Sequence, residues 1–226
     1  LEGEQFSAYR LLRCVKNRFG STNEIGVCEM KGRGLVEVEN PSLAFLSQRQ
    51  DETVGSVVVP VIEGSRPLLV EIQALTSPTA FGLPRRNANG VDYNRLLMIT
   101  AVLTKRARLS LGTQDIITNV VGGLKVNEPA ADLGIALAIA SSFKNSRVNP
   151  SLVTIGEIGL SGELRSVSQL EKRLAEAAKL GFNSCIIPPL QGGQKPPREI
   201  KPIEVSTLSQ AIRAGLSQDK LPEDND

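Results

Sequence analysis

The sequence contains no histidine and no tryptophan among its 226 residues, and only two tyrosines and six phenylalanines. Without histidine, Ser-His-Asp catalysis, Cys-His catalysis and the usual His-ligated zinc hydrolase sites are excluded. Aromatic side chains form the platforms on which single-stranded bases stack, so their scarcity argues against a stand-alone single-strand binder. The hydrophobic core must therefore be built from Val, Leu, Ile and Ala.

Cysteine is also sparse. Cys14, Cys28 and Cys185 are too few and too scattered for a disulfide framework or a zinc site, so we predict no metal site and favour a reducing compartment. No apolar run approaches membrane-spanning length, and the first residues lack the layout of a signal or transit peptide, as in a chain cut from something longer. The net charge of +2 is too small to identify a partner, so local clusters matter more.

The first third of the chain has the residue pattern typical of short strands. Residues 9–15 and 25–30 predict two strands joined by a turn at 20–23, residues 35–38 continue the strand character, and Asn40-Pro41 predicts a helix start. From Val54 onward, β-branched runs at 55–61 and 68–72 predict a hairpin. A polar loop is expected from Thr79 to Gly90.

The rest of the chain alternates between segments with the helical period of 3.6 residues and segments with the strand period of two. Helices are predicted at 92–108, 131–143, 168–180 and 208–216, and strands at 116–121, 153–158, 185–187 and 203–205. The tail at 218–226 is polar and is expected to be disordered. Because the alternation lacks strict βαβ regularity, the sequence predicts an α+β (mixed α/β) fold, with a boundary between two parts near residues 47–53.

A pair of cations could bind phosphate near the predicted first turn. Lys16 and Arg18 are two residues apart, so on a strand their side chains emerge on the same face and could clamp a phosphate. The alternative is a solvated strand edge protected by charge, and the spacing alone favours that alternative.

The residues around this pair resemble a known motif. Lys16, Asn17, Arg18, Phe19 and Gly20, continued by Ser21-Thr22-Asn23-Glu24-Ile25-Gly26, are similar to the KNRFG motif of the RadA/Sms family. The resemblance implies that residues 1–46 are the terminal β-hairpin and end of a RecA-like ATPase core. It also implies that the motif couples nucleotide to DNA, with cations that reach a neighbouring subunit's nucleotide as an arginine finger does.

The phosphate-binding half of such an ATPase is not in this sequence. No G-x-x-x-x-G-K-[ST] motif occurs, and Gly122-Gly123 and Gly192-Gly193 are better explained as turns. We therefore expect no cofactor in this chain and no ATP hydrolysis by it alone. The resemblance implies a preceding portion with a P-loop, ATP, Mg²⁺ and a zinc finger, in a parent protein that is a DNA-dependent ATPase or helicase.

Two further segments resemble the Lon protease domain. Residues 119–132 are similar to the stretch that carries the Lon nucleophile, and residues 156–171 to the stretch that carries its lysine. Here the serine position is Ala130 and the lysine position is Glu171, so the Ser–Lys dyad is missing on both sides. Lys172 is next in sequence, about 100° further round a helix. The resemblance implies an inactive Lon-protease-like fold over 54–217, related to domain 2 of ribosomal protein S5.

Two basic clusters are candidates for DNA contact. Arg85 and Arg86 lie in the predicted polar loop, and Lys105, Arg106 and Arg108 lie at a predicted helix end. Each cluster alone is most often a solvated surface, and the helix-end cations also complement the helix dipole. In a ring, however, a modest patch repeated in every subunit can neutralise many phosphates.

The RadA/Sms resemblance also implies a function for the chain. It implies that the chain is the C-terminal scaffold and DNA-binding module of a homo-hexameric, ATP-dependent recombination and repair motor. Such motors process recombination intermediates by branch migration on single-stranded and branched DNA, with a RecA-type recombinase and no membrane. The expected location is the bacterial cytoplasm at the nucleoid, or a mitochondrion or chloroplast. Two alternatives remain: a Lon-like peptidase with an unconventional site, and a protein–protein oligomerisation adaptor without DNA contact.

Overall fold

The computed structural model describes residues 9–13, 16, 18, 24–32, 34–50, 53–80 and 82–220. Five helices lie in this part of the chain: α1 (Pro41–Leu46), α2 (Tyr93–Arg106), α3 (Asp132–Lys144), α4 (Leu170–Lys179) and α5 (Leu208–Gly215). The first seven strands are β1 (Tyr9–Arg13), β2 (Ile25–Lys31), β3 (Gly34–Glu37), β4 (Ser56–Glu63), β5 (Arg66–Pro78), β6 (Arg86–Asn89) and β7 (Gln114–Val120). The other seven are β8 (Ser146–Val148), β9 (Leu152–Thr154), β10 (Glu157–Ile158), β11 (Leu164–Arg165), β12 (Ser184–Ile187), β13 (Lys201–Glu204) and β14 (Leu216–Lys220).

The first three strands form an antiparallel sheet in the order β1-β2-β3. This confirms the predicted strands, while the turn predicted at 20–23 lies outside the described residues. Helix α1 follows as predicted, because the Asn40 side chain caps it by accepting a 3.0 Å hydrogen bond from the Leu43 amide, and Pro41 begins the first turn. The Tyr9 and Phe45 rings meet edge to face at 4.9 Å, which joins α1 to the small sheet.

A seven-stranded sheet forms the centre of the molecule, in the order β13-β12-β9-β4-β5-β7-β6. The β13–β12, β12–β9, β9–β4 and β7–β6 pairs are parallel, and only β4–β5 and β5–β7 are antiparallel. The mostly parallel sheet with helices on its faces confirms the mixed α/β class. The predicted hairpin is β4–β5, whose strands pair from Ser56 opposite Gln73 to Glu63 opposite Arg66. Their β-branched residues are buried on both faces of the sheet.

Helix α3 lies against one face of the hairpin, and α4 against the other. Val57, Val59 and Val61 of β4 join the larger apolar cluster, which contains α3, whereas Val58 joins the cluster that contains α4. This division follows the period of two along a strand. Gly134 of α3 crosses β4 so closely that a Cβ there would lie 2.1 Å from a Val59 methyl carbon.

Several segments differ from the sequence prediction, among them the short strands β8 and β11, which were not predicted. The loop expected at 79–90 contains strand β6, whose polar residues gave no apolar alternation because it is an edge strand. The strand expected at 153–158 is divided into β9 and β10 at Ile155–Gly156, where the Gly156 amide turns to bind the Ala130 carbonyl. Strand β14 pairs with β8 and continues to Lys220, so the expected tail begins as a paired strand. Residues 221–226 lie outside the described residues.

Two serines near the end of α3 form hydrogen bonds with backbone groups of the fold. Ser141 is fully buried; it accepts from the Gly55 amide at 2.8 Å and donates to the Ser146 carbonyl at 2.6 Å. Ser142 accepts from the Thr76 amide at 2.8 Å. Both hydroxyls satisfy backbone groups, which accounts for their presence without a catalytic role. In the described part of the chain, no helix has the length and hydropathy needed to cross a membrane.

We predict that Gly134→Ala destabilises the protein by about 1–3 kcal/mol, because the added methyl overpacks against Val59. The loss outweighs the gain of about 1 kcal/mol that alanine gives a helix. Urea unfolding of the variant measures the change. Gly112→Ala is the control, since a Cβ there meets nothing within 4 Å. Equal stability of the two variants would show that the α3–β4 crossing is not tight.

Candidate functional site

Ala130 occupies the position predicted for a nucleophile. It lies in a 3₁₀ turn at Pro129–Ala131 that leads into α3, and it is 3% exposed. Its methyl group belongs to the apolar cluster that includes Val58 and Leu170. The Ala130 carbonyl accepts a hydrogen bond of 3.0 Å from the Gly156 amide, which fixes the turn against the neighbouring segment. The position therefore offers only a buried methyl group and has no nucleophilic chemistry.

Glu171 occupies the position predicted for a lysine. It lies in the first turn of α4 and is exposed, and its Oε1 accepts a 2.9 Å hydrogen bond from the Lys195 amide. A carboxylate suits the positive end of a helix. Lys172 is exposed beside it. While Leu170 packs in the apolar cluster with Ala130, Glu171 instead holds the loop that contains Lys195.

A buried charge that the sequence reasoning missed lies at Arg173, two residues after Glu171. Arg173 is 1% exposed, and its guanidinium pairs with Glu128 through Nη1–Oε1 at 2.7 Å and Nη2–Oε2 at 2.6 Å. Its Nε also donates to the Ser168 carbonyl at 3.0 Å. A signal was available, because residue 173 falls on the apolar face of α4 with Leu170 and Leu174, where a charge requires a partner.

The Glu128–Arg173 ion pair also reaches strand β4. Arg173 Nη1 donates to the Pro60 carbonyl at 2.8 Å, and Glu128 Oε1 accepts from the Ile62 amide at 2.8 Å. Beside it lies a groove of about 380 Å³, lined by Val61, Ile62, Glu63, Lys125, Val126, Asn127 and Glu128. The ion pair thus connects α4, β4 and the segment just before Ala130.

A second buried ion pair lies at the start of α3. Asp132 has no exposed surface, and its carboxylate meets Arg95 at 2.5 Å (Oδ1–Nε) and 2.9 Å (Oδ2–Nη2). The Ile158 amide donates to Oδ2 at 3.2 Å. Burial raises the pKa of Asp132, and the hydrogen bond from Arg95 opposes that rise; the same hydrogen bond raises the pKa of Arg95. This pair joins α2, α3 and β10.

The structure separates the two arginines of the first basic cluster. Arg85 is exposed, whereas the half-buried Arg86 donates from Nη1 to the Gln114 carbonyl at 2.5 Å and from Nη2 to the Leu111 carbonyl at 3.0 Å. Its donors therefore hold backbone groups, while the Arg85 side chain lies at the surface.

The second basic cluster lies at the end of α2, where Lys105, Arg106 and Arg108 are all exposed. Arg106 Nε donates to the Leu160 carbonyl at 3.3 Å. Because Arg86 binds the carbonyl of Leu111, only three residues after Arg108, the fold brings the two clusters to one region of the surface. Sequence spacing alone could not have indicated this.

The KNRFG residues are described only in part. Lys16 and Arg18 are exposed, while Asn17, Phe19 and Gly20 lie outside the described residues. Cys28 and Cys185 are buried free thiols, and burial raises the pKa of Cys185 well above its ordinary value. Within the described ranges, no group of three acidic or cysteine side chains is arranged to hold a metal ion.

Comparison with known proteins gives consistent matches over the chain. The family model described as subunit ChlI of Mg-chelatase matches residues 79–191. A protein named DNA repair protein RadA from Halalkalibacterium halodurans is 55% identical over 218 residues, which cover 96% of this chain and 48% of that protein. The same-named protein of Bacillus subtilis is 52% identical over 217 residues (95% and 47%), and that of Streptococcus pneumoniae 50% over 213 (94% and 51%). The chain spans about half the length of these curated relatives.

We predict that Arg95→Met destabilises the protein by about 3–5 kcal/mol at pH 7, because it leaves Asp132 buried and unpaired. The variant's Asp132 pKa then rises further above its unfolded value near 3.8. The folded variant therefore binds a proton at Asp132 more tightly than the unfolded chain does. Its loss of unfolding free energy relative to wild type becomes smaller as pH falls from 7 toward that unfolded value. Urea unfolding at several pH values measures it.

The matched control for this measurement is Arg95→Met combined with Asp132→Asn, which removes the titrating group. Its stability difference from wild type should lack the recovery at low pH that the single variant shows. A single variant whose deficit stays constant with pH would contradict the role given to the buried carboxylate.

Proposed function

Because the chain belongs to the RadA family of DNA repair proteins, we propose that it is the C-terminal scaffold and DNA-binding module of an ATP-dependent recombination and repair motor. The chain matches about half of each relative, so the motor activity belongs to a longer protein in this proposal. The observation that carries the scaffold role is the buried methyl of Ala130, packed in an apolar cluster where a peptidase would need a nucleophile.

The fold in this proposal is that of the Lon protease domain, related to domain 2 of ribosomal protein S5, without proteolysis. The exposed Glu171 supports this, since the position where the dyad would have a lysine amine carries a carboxylate that accepts from the Lys195 amide. Both halves of the dyad are thus replaced by groups that stabilise structure. The adjacent Arg173 has its donors occupied by Glu128 and two carbonyls.

The DNA-binding surface in this proposal consists of Arg85, Lys105, Arg106 and Arg108. Its support is their exposure and the contact between Arg86 and Leu111, which joins the loop after α2 to the start of β6. Arg86 contributes by fixing that geometry. In a homo-hexamer the patch recurs in each subunit, which lets a modest cluster neutralise many phosphates of single-stranded or branched DNA.

The remaining parts of the motor lie outside this chain in the proposal. A preceding RecA-like core with a P-loop and zinc finger supplies ATP and Mg²⁺ binding, and Lys16 and Arg18 couple nucleotide to DNA at the subunit interface. Branch migration alongside a RecA-type recombinase, at the bacterial nucleoid, is the reaction that the motor would serve. The names of the relatives support DNA repair as the general role.

We predict that replacing Arg85, Lys105 and Arg108 together by alanine weakens DNA binding by the full-length protein. Each lost phosphate contact reduces the slope of log affinity against log salt by about 0.9, so the triple variant should lose about 2–3 units of slope. Fluorescence anisotropy of labelled single-stranded and branched DNA, titrated at several salt concentrations, measures both quantities.

Lys172→Ala is the control, since this exposed lysine lies on α4, away from the patch, and should leave the slope unchanged. Arg86→Ala is a second comparison, and it should lower the free energy of unfolding because three backbone carbonyls lose their donor. A triple variant with wild-type affinity and slope would favour the adaptor without DNA contact.

We also predict that the purified protein leaves casein intact at neutral pH over hours, because Ala130 provides no nucleophile. Gel electrophoresis with an added serine protease as positive control measures cleavage. Cleavage that co-purifies with the chain and survives in the Ser141→Ala/Ser142→Ala variant would revive the peptidase alternative with another nucleophile.

A further inference from the structure

The β4–β5 hairpin extends beyond the strands on either side of it. Strand β9 pairs with β4 only at Val58, although β4 continues to Glu63. On the other side, β7 pairs with β5 from Pro78 back to Ile72, although β5 begins at Arg66. Within the described ranges, no strand continues either edge. The tip of the hairpin therefore has two backbone edges that require other partners.

The register determines which groups of β4 face its open edge. The Ala74 amide donates to the Gly55 carbonyl at 2.8 Å, and hydrogen-bonded pairs alternate along an antiparallel ladder. Counting from Gly55 in steps of two, Val61 and Glu63 face β5. Pro60 and Ile62 face away from it, which suits Pro60 because proline has no amide hydrogen to lose.

The two outward groups are met by the Glu128–Arg173 ion pair. Arg173 donates to the Pro60 carbonyl at 2.8 Å, and Glu128 accepts from the Ile62 amide at 2.8 Å. A neighbouring strand would offer the same chemistry at the same two-residue spacing: one N–H donor and one carbonyl acceptor. The side chains thus take the place of a strand's backbone.

We propose that the Glu128–Arg173 ion pair is a built-in strand mimic that closes the edge of β4 against extended polypeptide. The groove of about 380 Å³ beside it, between Val61–Glu63 and Lys125–Glu128, is where an added strand would lie. The ion pair prevents an extended polypeptide from pairing with β4, and this effect is independent of the absence of a nucleophile at Ala130. The domain therefore does not bind peptides at an edge where its sheet would otherwise accept one.

The opposite edge of the hairpin is closed in a similar way. The Leu69 amide of β5 donates to the Ser42 hydroxyl at 3.1 Å, and Ser42 in turn donates to Glu176 at 2.8 Å. Ser42 is fully buried. Side chains therefore occupy outward backbone groups on both edges, which argues that the arrangement protects the hairpin tip rather than filling one cavity by chance.

The first test is amide hydrogen exchange in the unmodified protein, read residue by residue by NMR. The Ile62 amide should be protected to a degree comparable with Val61 and Glu63, whose amides face β5. Exchange at Ile62 as fast as in the loop at 191–197 would overturn the proposal, and this measurement depends on no variant.

The second test uses Glu128→Leu combined with Arg173→Met, which removes both charges together and so avoids a lone buried charge. Ile62 exchange should rise about 10- to 100-fold, the equivalent of one lost charge-assisted hydrogen bond, with Val61 and Glu63 unchanged. The double variant should also gain saturable binding of fluorescein-labelled casein, an unfolded polypeptide, which the wild-type protein lacks.

Glu163→Leu combined with Arg165→Met is the matched control, because it removes an Arg–Glu pair of 2.6 Å that belongs to the separate β10–β11 sheet and not to the sheet that contains β4. It should change neither Ile62 exchange nor casein binding. A folded double variant that gains no casein binding, or a control that gains as much, would show that the pair serves stability alone. Neither outcome depends on DNA binding, so this proposal and the proposed function can fail separately.

Discussion

The arrangement around Ala130 depends on the ion pair between the half-buried Glu128 and the buried Arg173. It joins the segment before Ala130, the edge of β4 and the first turns of α4 through hydrogen bonds of 2.6–2.8 Å. Removing one partner of a buried ion pair costs about 3–5 kcal/mol. A whole domain is stable by only about 5–15 kcal/mol, so this one interaction bears on whether the three segments stay together.

This constraint explains how the segments that carry Ala130 and Glu171 keep a fixed arrangement without a reactive side chain at either position. Ala130 needs only to pack, and Glu171 needs only to hold the Lys195 amide, because the geometry between them is fixed by Arg173 two residues further along α4. The second buried pair, Asp132–Arg95, fixes the start of α3 in the same manner. The two ion pairs thus hold the fold together through charges that neutralise each other inside it. The exposed cations at the end of α2 face solvent, where a partner can reach them.

Elements with strong apolar periodicity were predictable from the sequence, and those stabilised by backbone pairing or by buried charge were not. Helix α3 and the β4–β5 hairpin follow from runs of aliphatic residues that only a core can bury. Strand β6 has a polar sequence, and its pairing to β7 arises from the tertiary fold. The place of Arg173 on the apolar face of α4 indicated that it needs a partner, but the sequence could not identify that partner, because Glu128 is 45 residues away. Ala130 and Glu171 were singled out only through resemblance, since neither residue type by itself signals a site.

A double-mutant cycle in urea unfolding tests the central role of the Glu128–Arg173 pair most directly. The cycle compares Glu128→Gln, Arg173→Met and the combined variant with the wild-type protein. We predict a coupling free energy of at least about 2 kcal/mol, since Glu128→Gln leaves the buried Arg173 without its counter-charge and Arg173→Met leaves the half-buried Glu128 without its own. A coupling below about 0.5 kcal/mol would mean that the two residues act independently, and would contradict the account.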